Sequence, residues 1–232
     1  HAALLTAEFP ISAFDLEKNN YRQDISASNL NKYPEISQSW KDFINFHCSK
    51  DFFLQLAHLF KEHIPYENLK QKNIDQFNTG IRFSDSPSAN DIMLDAQISI
   101  NTPVTHKGSV RKIHVDNTNK LFSGLFYLRQ SADDSKGGNL QLFSWKQDYS
   151  RKKKLRLYQE GVQKKYCNLE KEIKYENNIC ILFINSLDAL HSVTPRDKTQ
   201  HVRTFVNIVG ELPYELFKKH SFFERQFFEL KL

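Results

Sequence analysis

Val110-Arg111-Lys112-Ile113-His114-Val115-Asp116-Asn117-Thr118-Asn119-Lys120-Leu121-Phe122-Ser123-Gly124-Leu125-Phe126-Tyr127-Leu128-Arg129 reads as two extended runs joined by a turn. Val110 to Asp116 and Leu121 to Arg129 are rich in β-branched and aromatic residues, and Asn117-Thr118-Asn119 supplies short polar side chains suited to a turn. Strand side chains alternate with period two, so His114 and Asp116 are expected on one face, at a strand end beside a loop. An imidazole and a carboxylate then point the same way.

Outward from this stretch the β texture continues through Ile92 to Ile100, Asn139 to Phe143, Ile179 to Asn185, Ala189 to Val193 and Val202 to Val209. Gly137-Gly138 and Asn177-Asn178 provide further turn signals. Residues 37 to 62 differ: Trp40, Phe43, Ile44, Phe53, Leu56 and Phe60 recur at helical spacing, with Ser39 and Asp42 resembling a capping box and Ser49 a second cap. Two short helices are expected there, then a loop over Gly80 to Asn90. Many short strands after a helical front end predict a mainly β fold with flanking α: a jelly-roll core (a double-stranded β-helix) with N-terminal helices and a C-terminal helix.

The 232 residues are expected to form one domain, with a helical support region over 1–91, a core over 92–210 and a helix over 211–232. Pro213 opens that tail as a suitable first helical residue, and Leu216, Phe223, Phe227 and Leu230 fall on one side. The helix is expected to pack on the sheet; a homodimer contact through it is the alternative. The charged stretch from 145 to 175, with Arg151-Lys152-Lys153-Lys154, is expected to be a solvated loop rather than a phosphate contact.

With 40% hydrophobic and 13% aromatic residues, disorder is excluded. Thirty-two basic against twenty-seven acidic residues, a net +5, is too mild an excess to indicate a nucleic-acid partner. Cys48, Cys167 and Cys180 are an odd number without metal or disulfide spacing, so a reducing cytoplasm is the expected setting. No basic run precedes a long apolar segment and no stretch is apolar for about 18 residues, which speaks against secretion and membrane insertion. The opening His1 is expected to reflect trimming or tagging.

His191 lies between buried runs and needs a polar partner, a metal being one candidate. Arg203 sits in an otherwise apolar strand, where an unpaired guanidinium would be costly but its planar fork suits a bound carboxylate. Gln97, Asn101, His106, Arg111, Lys112 and His201 are weaker candidates for lining a pocket or touching substrate, His201 sharing the strand face of Arg203.

Taken together, His114-Val115-Asp116-Asn117, Leu125-Phe126-Tyr127-Leu128, Gly137-Gly138-Asn139-Leu140 and His191-Ser192-Val193 through Arg203 resemble the 2-oxoglutarate- and Fe(II)-dependent dioxygenases, and within them the prolyl-hydroxylase-type branch. The resemblance covers roughly residues 92 to 210. It implies that His114, Asp116 and His191 ligate iron, with no catalytic residue beyond the ligands. Arg203 would bind the distal carboxylate of 2-oxoglutarate, and Tyr127 would donate its hydroxyl to the same group. Two departures bear on the cosubstrate pocket: the spacing from His191 to Arg203 is slightly long, and Phe205 stands where some members carry a hydroxyl.

The activity implied is hydroxylation of an unactivated C–H bond in a prolyl residue, an amino acid or a sugar-type metabolite. Fe(II), 2-oxoglutarate and dioxygen are then required, with ascorbate a further candidate. Asp116 argues against the halogenating relatives, in which a small residue leaves room for halide. The competing reading is a cupin-like jelly roll that binds a metal or sugar without catalysis, which has no need of Arg203. A nucleic-acid demethylase would need a basic groove at the iron, and Lys152 to Lys154 are too isolated in sequence to supply one.

Overall fold

The computed structural model describes residues 2–106 and 111–217. Its helices are α1 (Ala2–Ala7), α2 (Gln38–His47), α3 (Lys50–Leu59) and α4 (Arg151–Glu160). The strands are β1 (Arg22–Ile25), β2 (Thr79–Ile81), β3 (Ile92–Asn101), β4 (Lys120–Tyr127), β5 (Leu140–Trp145), β6 (Cys167–Ile173), β7 (Ile179–Ile184), β8 (Leu190–Val193) and β9 (Arg203–Glu211). They make two sheets. The major one runs β1-β3-β9-β4-β7, with β2 beside β3, and the minor one runs β6-β5-β8. All pairings are antiparallel except that of β2 with β3.

Every residue of β3 and β9 is buried, because the major sheet is covered on both faces. Leu94, Ala96, Ile98, Ile100, Phe122, Phe126, Val206 and Ile208 face one way and join a single cluster with Trp40, Ile44, Phe53 and Leu56 of α2 and α3. The residues between them in sequence face the minor sheet, where Tyr127 and Phe205 pack with Leu140 and Tyr175. Apolar residues on one face therefore hold the helices, while the opposite face is free to carry polar groups.

Two helices replace one long one because Ser49 interrupts the stripe: its hydroxyl accepts from the Phe52 N–H at 3.2 Å. The first cap is Ser37, which accepts from Trp40 N–H and whose own hydroxyl donates to Glu8 at 2.7 Å. Ser39, the expected cap, lies inside α2. Glu8, just past α1, thus holds the serine that starts the helix.

Several expectations are corrected. Residues 111–116 form no strand; one isolated bridge, His114 opposite His191, is their β pairing among the described residues. The stretch 145–175 is ordered rather than a solvated loop: Leu155 and Leu157 are buried on α4, and β6 pairs along β5. The expected loop over Gly80 to Asn90 yields its first residues to β2. No helix begins at Pro213 within the described residues, where 213–217 are irregular. Phe223, Phe227 and Leu230, and with them the rest of the proposed tail helix and dimer contact, lie outside the described residues. No described helix is long and apolar enough to cross a membrane.

Trp40 is fully buried, its N–H donates to the Glu8 carbonyl at 3.0 Å, and its ring meets Phe9 edge-on. Trp40→Ala is expected to cost about 3–5 kcal/mol in urea unfolding; a cost under about 1 kcal/mol would mean that the helices are not anchored on the sheet through this residue.

Candidate metal centre

The bridge between His114 and His191 is made by two main-chain hydrogen bonds, His114 N–H to His191 O at 3.0 Å and His191 N–H to His114 O at 2.9 Å. Residues directly opposite in an antiparallel pair project to the same side, and the two imidazole centroids lie 4.2 Å apart. Each ring is also fixed in rotation. His114 Nδ1 donates to the Lys112 carbonyl at 2.7 Å and His191 Nδ1 to the Ala189 carbonyl at 3.0 Å. A carbonyl can only accept, so the proton sits on Nδ1 and both Nε2 lone pairs point inward.

Asp116 completes the group. Its Oδ1 is 3.9 Å from His114 Nε2 and 4.0 Å from His191 Nε2, and one ligand atom from each of the three residues lies within 4.8 Å of the others. The other oxygen, Oδ2, accepts from Ser123 Oγ at 2.6 Å and from Lys120 Nζ at 3.3 Å. Lys120 reaches it because the β4 to β9 register shifts between Lys120 and Phe122, and a bulge of this kind re-aims a side chain. Arg111 Nη1 lies 3.3 Å from Oδ1.

Electrostatics keep the three groups ready for a cation. Burial alone would raise the Asp116 carboxyl, but Lys120, His191, the Ser123 hydroxyl and His114 together hold it well below the usual range. Burial, then His191 and Arg111, push the His114 imidazole down to about 3, and burial also lowers His191. Both rings are therefore neutral at ordinary pH. His114 Nε2 is buried without a hydrogen-bond partner. Two imidazole lone pairs and a carboxylate oxygen converging on one point suit a divalent transition metal.

A cavity of about 70 Å³ opens beside the three groups, lined among others by Asn101, Lys120, Ser123, Leu125, Leu140, Arg203 and Asn207. Arg203, 2% exposed, is held by its Nε donating to the Gly138 carbonyl at 3.0 Å and its Nη1 donating to Asn101 Oδ1 at 3.2 Å. Its guanidinium lies about equally close to the rings of Tyr127 (4.8 Å), Phe205 (4.8 Å) and Tyr175 (5.1 Å). Arg203 Nη2, Asn101 Nδ2 and the Tyr127 hydroxyl find no hydrogen-bond partner.

Gly137 and Gly138 make this seat possible. Both have positive φ, and a Cβ on Gly138 would stand 3.1 Å from the Arg203 side chain, one on Gly137 only 1.9 Å from the Pro195 carbonyl.

The other sequence candidates divide. Asn101 and Arg111 line the cavity. Tyr127 does not: its ring packs on the Arg203 guanidinium at 4.8 Å, burial raises its phenol against the pull of the Arg203 charge, and its hydroxyl has no hydrogen-bond partner. Gln97 instead accepts from Asn207 at 2.7 Å and donates to Ser26. His106 is exposed against Asn19, the Lys112 carbonyl accepts a hydrogen bond from His114 Nδ1, and His201 precedes β9 and faces Asp134 at 3.4 Å. His201 therefore does not share the strand face of Arg203. Lys120, Ser123, Asn207 and Arg22 also line the cavity and carried no motif in the sequence.

No protein-family model matches the chain, and no curated protein sequence does. Among solved structures it is similar to a protein from Shewanella oneidensis provisionally named an oxygenase, at 14% identity and a TM-score of 0.47 over 97% of this chain and 74% of that one. A Pseudomonas putida prolyl-4-hydroxylase matches at 12% identity and 0.45, over 91% and 86% of the two chains. The Fe(II)/α-ketoglutarate-dependent dioxygenase TqaL matches at 12% and 0.44, over 95% and 78%. Likeness at this level leaves the chemistry to be argued from the site itself.

The depressed imidazoles predict an acid-sensitive metal-free protein. Unfolded histidines take up protons near the ordinary value of 6.5, whereas folded His114 resists to about 3. The unfolded chain binds more protons across that window, so stability falls as pH drops through it, and Asp116 adds to the loss below the usual carboxylate range. Urea midpoints from pH 7 to about 4 are expected to decline in the wild type and to flatten in His114→Gln; equal slopes would contradict the burial of a neutral ring.

Proposed function

We propose that this chain is a jelly-roll dioxygenase dependent on Fe(II) and 2-oxoglutarate, which hydroxylates an unactivated C–H bond. The observation that carries this reading is the pairing, in one cavity, of two distinct unmet demands. At one side are two imidazole lone pairs and a carboxylate oxygen; at the other, Arg203 Nη2 and Asn101 Nδ2 are buried donors without acceptors. A metal answers the first and an anionic carboxylate the second. A keto diacid carries both kinds of group on one short carbon chain. The two facing antiparallel sheets support the jelly-roll reading.

In this reading His114, Asp116 and His191 hold the iron, and three protein ligands leave positions open for chemistry. Fe(II) there supplies the redox chemistry by which 2-oxoglutarate, dioxygen and R–H become succinate, carbon dioxide and R–OH. The chain orients and insulates. Ser123 and Lys120 fix the Asp116 carboxylate, the Lys112 and Ala189 carbonyls fix the rings, and Arg203 with Asn101 receives the distal carboxylate. The Tyr127 ring packs on the Arg203 guanidinium at 4.8 Å and steadies it, and its buried, unpartnered hydroxyl is a further donor for the carboxylate. Leu125, Leu140, Val193 and Phe205 keep the cavity apolar elsewhere. A cupin-like binder of metal or sugar would leave Arg203 Nη2 without an anion, which disfavours that reading. The substrate is a small molecule or a peptidyl residue, and ascorbate enters only as an added reductant.

Under anaerobic conditions Fe(II) and 2-oxoglutarate together are expected to raise the melting temperature more than either alone, and His114→Ala or Asp116→Ala to abolish the joint effect. Equal shifts in wild type and variants would reject the site. Arg203→Ala is expected to weaken 2-oxoglutarate binding roughly thirtyfold, about 2 kcal/mol, with metal binding retained. Loss of metal binding with the keto acid unaffected would reverse the assignment.

A further inference from the structure

The side chains that line the cavity carry a lopsided charge: Arg22, Arg111, Lys120 and Arg203 against the single carboxylate of Asp116. Leaving the imidazoles out of the count, four cations and one anion leave a surplus of three. A divalent metal and a dianionic keto acid cancel each other, so loading both leaves that surplus in place. Asp24, 2.9 Å from Arg22 Nε, lowers it by one. Clefts lined by one sign of charge draw in ligands of the other.

The cations are not equivalent. Arg203 faces the keto acid, and Lys120 stays on Asp116 Oδ2 with Glu211 opposite it in the register. Arg111 and Arg22 are the two more exposed ones, with side chains 50% and 31% accessible. Arg111 now rests on Asp116 Oδ1, the same oxygen that faces both Nε2 atoms. A metal held by Asp116 would draw charge from the carboxylate that Arg111 faces and would set a cation beside a cation. The half-exposed guanidinium would then be favoured to turn toward solvent or another anion. Arg22 has a guanidinium stacked over Phe205 at 5.4 Å and is paired across the sheet with Asn101, next to Arg203 in the same row.

We propose that the primary substrate is an anionic small molecule, bearing a carboxylate, phosphate or sulfate group that Arg111 and Arg22 receive at the open side of the metal site. This rests on the reading of the site as one for metal and keto acid. A neutral substrate leaves Arg111 without a counter-charge once the metal is in place and Arg22 with Asp24 alone; an anion turns the same arrangement into a selective one. Metal held by Asp116 would loosen Arg111 for the substrate, so that metal and keto acid would bind first and the anionic substrate after.

The test uses the anaerobic complex with Fe(II) and 2-oxoglutarate, so that Arg203 is already occupied, and follows its melting temperature during titration with sulfate at constant ionic strength. Dimethyl sulfone, of similar shape and no charge, is the matched probe. Sulfate is expected to give a saturable upward shift and the sulfone none. Arg111→Gln and Arg22→Gln should each weaken the sulfate midpoint about tenfold, Arg111→Lys should restore most of it, and Lys171→Gln, on the exposed outer strand β6, should leave it unchanged. No saturable shift, or one with the same midpoint in all variants, overturns the proposal. Should Arg111→Gln fail to fold, Arg22→Gln against Arg22→Lys makes the same comparison. The two readings fail separately: 2-oxoglutarate adding nothing to the metal's stabilisation sinks the oxygenase, whereas sulfate indifferent to Arg22 and Arg111 sinks the anionic substrate.

Discussion

Two main-chain hydrogen bonds between His114 and His191 fasten an otherwise irregular segment to β8, and the arrangement of the site follows from them. They set the two rings side by side, and the Nδ1 contacts to the Lys112 and Ala189 carbonyls remove the remaining rotation. Asp116, two residues further, is gripped from the other sheet by Ser123 and Lys120 of β4. The minor and major sheets are thus tied together through the candidate ligands themselves. A buried carboxylate is costly unless its lone pairs are used, and here Ser123, Lys120 and Arg111 use them.

Much of this was legible in the sequence, though partly by the wrong route. Strand alternation placed His114 and Asp116 on one face; the chain reaches that outcome without a strand, through one bridge and a carboxylate drawn to β4. The apolar strands β3, β4, β7 and β9 announced themselves to within two residues, because Val, Ile and Phe runs fit a pleated, covered surface. Arg22-Gln23-Asp24-Ile25 and the mostly exposed Asn168-Leu169-Glu170-Lys171-Glu172 carry no such signal, and they become strands only because β3 and β5 offer open edges. The basic run of α4 masked the buried Leu155 and Leu157. Lys120 could not have been found, since its inward turn depends on a register shift that no residue type encodes.

The inner face of the major sheet explains why the fold tolerates so many polar groups under cover. Across it, Asn207 donates to Gln97, Ser99 to Asp24 and Arg203 to Asn101. Each is a cross-strand or near-neighbour pair, so most hydrogen-bonding capacity is met locally and the desolvation cost is contained. The opposite face bears the apolar load with α2 and α3. Division of labour between the two faces of one sheet lets stability and the site be supplied by alternate residues of the same strands. Phe205 fits this pattern: in place of a hydroxyl it gives Arg203 an aromatic surface at 4.8 Å, which orients the guanidinium without using any of its donors.

Burial alone does not mark an arginine as a ligand-binding one, and this chain contains the control. Arg196 is as buried as Arg203, and burial, then the Arg203 charge, pull it down to about 10. Its fork is spent on the protein: Nη1 donates to the Thr102 carbonyl at 2.9 Å and Nη2 to the His201 carbonyl at 2.7 Å. Arg203 lines the cavity and, with Nε on the Gly138 carbonyl and Nη1 on Asn101, leaves Nη2 unpaired. Placing two guanidiniums close together is unfavourable in low dielectric, and a fold that merely needed to cross-link its loops would satisfy both. One arginine closed by carbonyls beside another held open is the arrangement expected when the second awaits an anion from outside the chain.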